Sequence, residues 1–343
     1  MNIALDATYS LGRNLSGVGV YCRRLIWGLA GAHPESRFRF CYRPHRFLRS
    51  LREPIPNNAL RRLLAPLLPP GGDVFHALNQ RVPPARVRRL AVTFHDLFVM
   101  TGEYSTAEFR ARFTEQAKEA SARADLIITV SAFTASQVEQ LLGVERTRLR
   151  VVPHGVDAPP VVPGVAKRRR MVLCVGAIQK RKNMPRLVRA FERLPAEWRL
   201  VLAGAAGYGS EETMETIEAS PARARIETPG YVDQAGLERL YGEASVFAFP
   251  SLDEGFGIPV LEAMAWGIPV LTSTRSSLPE VAGDAALLVD PLETDEIAAG
   301  LSRLAEDTAL RETLAARGRE RALGFTWQAA CERTWAVYGE LAR

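Results

Sequence analysis

Short apolar runs alternate with amphipathic stretches along almost the whole chain, and this alternation restricts the fold more than any other feature of the sequence. Strand, helix and strand in succession bring the chain back in the same direction, so the pattern predicts parallel sheets covered by helices, an α/β class. In the first half the candidate strands are Asn2–Leu5, Phe38–Tyr42, Val74–His76, Ala91–His95, Leu126–Val130 and Leu149–Val152. Helical segments near Val18–Ala30, Glu108–Arg123 and Ala132–Leu142 separate them, with Ser131 placed to cap the last. The stretch Asp157-Ala158-Pro159-Pro160-Val161-Val162-Pro163-Gly164 can continue neither a helix nor a central strand, and it reads as a linker. Beyond it the alternation restarts with strand Met171–Val175, helix Pro185–Leu194, strand Arg199–Leu202, helix Ala235–Gly242 and strand Val246–Phe249. Thr326–Leu341, with Trp327, Trp335 and Tyr338, reads as a terminal amphipathic helix. The expected division is therefore residues 1–160, residues 161–325 and a closing helix over 326–343. Two doubly wound domains in tandem imply a cleft between them, with function in the loops that leave the carboxyl ends of the strands.

Composition narrows the class further. The 343 residues are 47% hydrophobic and 24% charged, which excludes collagen-like, disordered and coiled-coil chains. No apolar run is long enough to span a membrane, and Met1–Asp6 lacks the basic and apolar regions of a cleaved secretory signal. Cys22, Cys41, Cys174 and Cys331 are far apart and set among apolar neighbours, as small buried hydrophobes are. The expectation is a cytoplasmic protein with no metal site. Charge is uneven: residues 1–160 hold 22 Lys and Arg against 13 acids, whereas residues 161–343 hold 22 against 25. Twelve arginines and two acids fall within residues 37–89, a density suited to an anionic partner, although the chain favours Arg over Lys throughout. Few aromatics accompany them and no reader motif is present, so nucleic acid is not the expected partner.

Three loops carry residues fit for chemistry. In Phe249-Pro250-Ser251-Leu252-Asp253-Glu254-Gly255-Phe256-Gly257-Ile258-Pro259-Val260-Leu261-Glu262, the glycines permit close backbone approach and Pro259 suits the first turn of a helix whose free N–H groups favour a phosphate. Glu254 and Glu262 beside such an anion site suit the hydroxyls of a sugar and a ribose; taken alone, the pair also fits solvated or capping acids. The loop Val175-Gly176-Ala177-Ile178-Gln179-Lys180-Arg181-Lys182-Asn183 places three cations before a helix, where they can neutralise a diphosphate or simply face solvent. Leu15-Ser16-Gly17-Val18-Gly19-Val20-Tyr21-Cys22 approximates a dinucleotide glycine loop, but Cys22 stands at its third position and no acid ends the second strand. It reads as a loop nearing a phosphate or sugar, or as tight helix–strand packing. His95 ends a strand on the expected cleft side, with His76 and His154 also near strand ends. No Asp-x-Asp, Walker loop or His-x-x-x-His occurs.

Together these loops resemble the family 4 retaining glycosyltransferases of the GT-B fold, over almost the whole chain. The resemblance is carried by Glu254…Glu262, by Ala263-Met264-Ala265-Trp266-Gly267-Ile268-Pro269-Val270 and by Leu278-Pro279-Glu280-Val281. Ser16–Gly19, His95-Asp96-Leu97, Val152–Asp157, Arg181-Lys182-Asn183 and Gly230-Tyr231-Val232 support it. It implies two Rossmann-like domains, the first binding acceptor and the second binding a nucleoside diphosphate sugar, with the C-terminal helix packing back on the first. By this similarity Glu254 contacts the donor sugar, Glu262 the ribose, and Arg181 and Lys182 the diphosphate, joined by backbone N–H groups of Gly255, Phe256 and Gly257. Tyr231 and Val232 lie beside the base, Gly17 and Gly19 beside the donor phosphate, and His95 beside the transferred sugar. Many members carry Arg where this chain has Ala177; the chain looks like the Arg-Lys-Asn subgroup, in which Arg181 supplies that charge.

The resemblance thus implies retaining, metal-independent transfer of a hexose, mannose type favoured and GDP-mannose the leading donor, with catalysis by Glu254, His95, Arg181 and Lys182 and no cofactor beyond the donor. The acceptor is expected to be a glycan or lipid-linked glycan in polysaccharide synthesis. Residues 43–68, where Phe47, Leu48, Leu51, Leu60, Leu63, Leu64, Leu67 and Leu68 alternate with arginines, fit a peripheral contact with the inner, anionic face of a membrane, or else a buried helix with solvated arginines. A sugar-nucleotide epimerase and a non-catalytic nucleotide-sugar-binding protein remain as alternatives. A phosphorylase would need a pyridoxal-bearing lysine, and only Lys118, Lys167, Lys180 and Lys182 are present.

Overall fold

A computed structural model describes residues 1–12, 14–159 and 161–343. Its chain divides into two compact units: 1–101 with 106–155 and 326–343, and 102–105 with 156–325. Among the described residues each unit is built on one parallel sheet. Residues 157–159 and 161–164 have no regular structure, and Pro160 of the expected linker lies outside the described residues.

In the first unit the strands are β1 (Asn2–Asp6), β2 (Arg37–Tyr42), β3 (Ala59–Leu63), β4 (Val74–Ala77), β5 (Leu90–Phe94), β6 (Leu126–Thr129) and β7 (Leu149–Val151). They lie in the order β3-β2-β1-β4-β5-β6-β7, so the winding reverses between β1 and β4. β4 and β5 are buried at every position, as central strands covered on both faces require. Helix Gly17–Ala32 covers one face with Tyr21, Cys22, Leu25, Ile26 and Leu29. Helix Trp327–Ala342 packs on the same core through Ala330, Cys331, Val337, Tyr338 and Leu341, as the resemblance implies. Gly28 is what lets these two helices close, because a β-carbon there would lie 2.5 Å from Cys331 Sγ.

The second unit holds β8 (Arg169–Val175), β9 (Arg199–Ala203), β10 (Ile226–Gly230), β11 (Ala244–Phe249), β12 (Val270–Ser273) and β13 (Ala286–Val289). Their order is β10-β9-β8-β11-β12-β13, with the winding reversing between β8 and β11. In such sheets the crevice for a ligand opens at the carboxyl ends of the two strands at the reversal. Those ends lead into the cationic loop and the Glu254 loop.

The segment 43–68 is no single helix. It comprises a short helix, Pro44–Ser50, and the edge strand β3, which pairs with β2 from Phe38↔Ala59 to Tyr42↔Leu63. The strand escapes a pattern reading because its burial alternates only between half-buried and exposed, as an edge strand's does. Two of its region's arginines serve the fold: Arg43 pairs with buried Asp6 at 3.3 Å, and Arg61 Nε donates to Ser50 O at 3.0 Å.

Candidate active site

The loop after β8 bends at Gly176, whose φ of 139° is open to glycine but strained for other residues. Gly204, following β9, is equally constrained, since a β-carbon there would collide with the Gly176 carbonyl. Lys180–Lys182 then form one 3₁₀ turn, which ends at Asn183 in the left-handed region, φ 58°. The Asn183 side chain repays that strain by donating to Pro250 O at 3.1 Å and Pro291 O at 2.6 Å, while Leu252 N–H donates to Arg181 O at 2.8 Å. The loops that leave the two reversal strands are thereby stitched together.

The stitching sets the charges. Lys182 Nζ lies 2.5 Å and Arg181 Nη1 2.6 Å from the same Glu254 oxygen, Oε1. Lys182 Nζ also stands 4.3 Å above the Phe249 ring, a cation–π contact. The Glu254 backbone is fixed from behind: its N–H donates to Ser276 Oγ at 3.1 Å, and its carbonyl accepts from the Ser277 hydroxyl at 2.8 Å. Burial alone would raise the Glu254 carboxyl, but Arg181 and Lys182 overcome it and hold it at about 2. Burial, with Arg181 repelling, lowers the Lys182 ammonium to about 8 against the pull of Glu254. Buried Lys182 and partly exposed Arg181 thus share one carboxylate oxygen.

Gly257, φ 96°, begins the helix Ile258–Ala265, which has Pro259 in its first turn and no side-chain cap. A β-carbon on Gly257 would lie 2.6 Å from Leu278 Cδ2. Gly255, Phe256 and Gly257 are all buried on the approach to this helix. Glu262 is half-buried on its second turn and accepts from the Tyr241 hydroxyl at 2.8 Å. Burial raises the Glu262 carboxyl, with the Tyr241 bond opposing and Asp157 adding to the rise. Tyr241 is a partner that no motif announced. Tyr231 and Val232 follow β10, two strands from β8 at the same edge of the sheet, with Tyr231 half-exposed.

Within the first unit, the expected glycine loop is largely helical. Ser16 caps the helix by accepting from Gly19 N–H at 3.3 Å, so Gly17 and Gly19 form its first turn and the Gly19 N–H is already engaged. The helix expected from Val18 begins one residue earlier, so most of the segment expected as a loop belongs to its cap and first turns. His95 lies just past β5. Its Nε2 is 2.9 Å from Leu78 O; a carbonyl only accepts, so Nε2 bears the proton and Nδ1 is the acceptor. Burial lowers His95 to about 4, keeping it neutral. It stacks on His154 at 5.4 Å and meets the Tyr21 ring edge-on at 4.7 Å.

A recess of about 590 Å³ opens at the opposite, N-terminal edge of the second sheet. Its arginines face glutamates, as Arg169 does Glu243 at 3.2 Å and Arg170 does Glu197 at 3.3 Å. It lies away from the strand ends that carry Arg181 and Lys182, and volume alone does not make it the site.

The two folds and the cation–carboxylate cluster at a winding reversal define a GT-B glycosyltransferase scaffold. Residues 8–158 match the model described as Glycosyltransferase Family 4, and residues 160–321 that of Glycosyl transferases group 1; the chain belongs to this family. An O-antigen chain mannosyltransferase B of Escherichia coli is 33% identical over 281 residues, which are 77% of this chain and 74% of that one. An MMP alpha-(1->4)-mannosyltransferase of Mycolicibacterium hassiacum is 33% identical over 66% of this chain, and the match spans 56% of that protein. Among solved structures, sucrose-phosphate synthase from Thermosynechococcus elongatus superposes with a TM-score of 0.78 at 22% identity, covering 99% of this chain and 98% of that one. HepE of Anabaena, in complex with UDP and glucose, gives 0.73 at 18% identity, covering 98% and 99%.

Proposed function

We propose that this glycosyltransferase moves a mannose-type hexose from a nucleoside diphosphate sugar, GDP-mannose foremost, to an acceptor hydroxyl of a growing polysaccharide or lipid-linked glycan, with retention and without a metal. The observation that carries the reading is the convergence of Arg181 and Lys182 on Glu254 at the reversal of the second sheet. As the glycosidic bond breaks, charge grows on the departing diphosphate, and fixed cations with the uncapped helix start at Ile258 meet that charge. Glu254, ionised throughout the working pH range, accepts from sugar hydroxyls, and Glu262 from the ribose. His95, neutral with Nδ1 as acceptor, receives a further hydroxyl of the transferred sugar. The leaving phosphate serves as base on the same face. The mannosyltransferase relatives favour the sugar. Proton NMR of the product made from GDP-mannose in excess EDTA is expected to show an α-mannoside. A β-product, or activity only with an added divalent ion, contradicts the reading.

The acceptor side fits an anionic membrane surface. Leu48 is 77% and Leu67 92% exposed, and Leu51, Leu60 and Leu68 are exposed too, beside the exposed Arg49, Arg52 and Arg62. Among the described residues no helix is long and apolar enough to cross a membrane. Sedimentation with anionic vesicles is expected at low salt and to fall as salt screens the arginines. Absence of binding at low salt rules the contact out.

A further inference from the structure

Four buried polar side chains form an unbroken chain through the first unit, from the C-terminal helix to the neighbourhood of His95. The Tyr338 hydroxyl lies 2.6 Å from His76 Nδ1, a partner 262 residues away in sequence. His76 Nε2 is 2.7 Å from Thr93 Oγ1, which in turn is 2.9 Å from the Tyr21 hydroxyl. Tyr338, His76 and Thr93 are 0% exposed and Tyr21 is 1% exposed. The Tyr21 ring then closes on the stacked pair His95 and His154, at 4.7 and 5.0 Å. Thr93 is itself two residues before His95, inside β5.

Such a chain is a costly way to fill a core, because every member must stay bonded once water is excluded. It is also directional. Burial keeps His76 neutral, so it has one N–H and one bare nitrogen. Either Tyr338 donates to Nδ1 and Nε2–H donates to Thr93, or Nδ1–H donates to Tyr338 and Thr93 donates to Nε2. In the second arrangement the Thr93 proton is spent on His76 and the Tyr21 hydroxyl must donate to Thr93; in the first, Thr93 can donate to Tyr21 or accept from it, and in both the 2.9 Å bond anchors the Tyr21 ring that packs against His95.

We infer that Tyr338, through His76, Thr93 and Tyr21, is a positioning residue for His95, holding its imidazole on the Leu78 carbonyl with Nδ1 presented as an acceptor. The inference rests on the reading of His95 as a contact of the transferred sugar. It gives the C-terminal helix a part in the reaction besides closing the core.

The test compares Tyr338→Phe and Tyr21→Phe, which remove one hydroxyl at each end of the chain, with Val337→Ala, a buried truncation one residue from Tyr338 that leaves the chain intact. Thermal stability, kcat, the affinity for GDP and the ¹⁵N signals of the His95 ring are measured for each. Both tyrosine variants are expected to lose about tenfold or more in kcat and to shift the His95 ring signals, with GDP affinity unchanged. Val337→Ala is expected to lose stability and keep both kcat and the signals. Parent-like His95 signals in Tyr338→Phe, or kcat and signals lost equally in Val337→Ala, overturn the inference. The ring signals are read without ligand, so they judge the coupling even if GDP fails to bind the parent, a result that would fault the donor reading instead.

Discussion

Lys182→Ala is expected to lower kcat by about 10²–10³-fold, the loss typical of removing one preorganised group that meets charge in a transition state. The fold should survive the change. Glu254 keeps Arg181 at 2.6 Å as a partner, and Asn183 and Leu252 still tie the two loops together. The effect belongs chiefly to kcat rather than KM, because the charge on the leaving diphosphate is larger in the transition state than in the bound donor. Steady-state kinetics with a saturating donor, alongside a melting curve within a few degrees of the parent, check it. A variant with near-normal turnover would remove Lys182 from the phosphate site.

Glu254→Gln is expected to act in opposite directions on transfer and on nucleotide binding. Turnover should fall about 10²-fold or more if the proposed acceptance of sugar hydroxyls by this carboxylate holds, because the carboxylate becomes an amide. Affinity for a nucleoside diphosphate lacking the sugar should rise about tenfold. In the free protein Glu254 occupies both cations, at 2.5 and 2.6 Å, and a phosphate must draw on those same groups. A charge-assisted bond contributes about 1.5–3 kcal/mol, and one decade in binding is about 1.4 kcal/mol, so tenfold is the gain when relief of the competition recovers about one such bond. The variant also takes the carboxylate charge away from buried Lys182, a loss of about 3–5 kcal/mol for a broken buried pair. GDP should therefore restore more of its melting temperature than it adds to the parent's, since a ligand bound only by the folded state stabilises it. Equal or weaker GDP binding by a folded Glu254→Gln would show that Glu254 does not compete for the cations.

Much of the fold was legible because buried parallel strands are short apolar runs bounded by turns. The runs at Val74, Leu90, Leu126 and Ala244 lie in strands, and Ser131 caps its helix by accepting from Thr134 N–H at 3.0 Å. The strands that escaped are the ones whose sequence conceals them. β3 carries Arg61 and Arg62 at an exposed edge, and β10 contains Pro229 and Gly230 at another. β12 and β13 are no shorter than β4 and β6, but each follows a short helix closely. At the site, the motif spacing picked out Glu254, Arg181 and Lys182, and the structure puts those three side chains in direct contact. What holds them there depends on tertiary packing: the left-handed turn at Asn183, the hydroxyls of Ser276 and Ser277, and Tyr241 on Glu262. The histidines show the same limit. His76 lies within β4, His95 just past β5 and His154 beyond β7, and only the fold reveals that they share Tyr21 and, through His76, the C-terminal helix.

Isothermal titration of GDP at pH 8, in two buffers of different ionisation enthalpy, tests most directly whether Arg181 and Lys182 grip the diphosphate. Burial and Arg181 hold Lys182 at about 8 in the free protein, so roughly half of the molecules lack its proton at that pH. A phosphate alongside raises that value, and complex formation must then take up about half a proton. The phosphate, with its own last ionisation near 6, contributes little at pH 8. The account predicts this uptake for the parent and its disappearance in Lys182→Ala; GDP binding with no buffer dependence in the parent, or with the same dependence in both proteins, contradicts it.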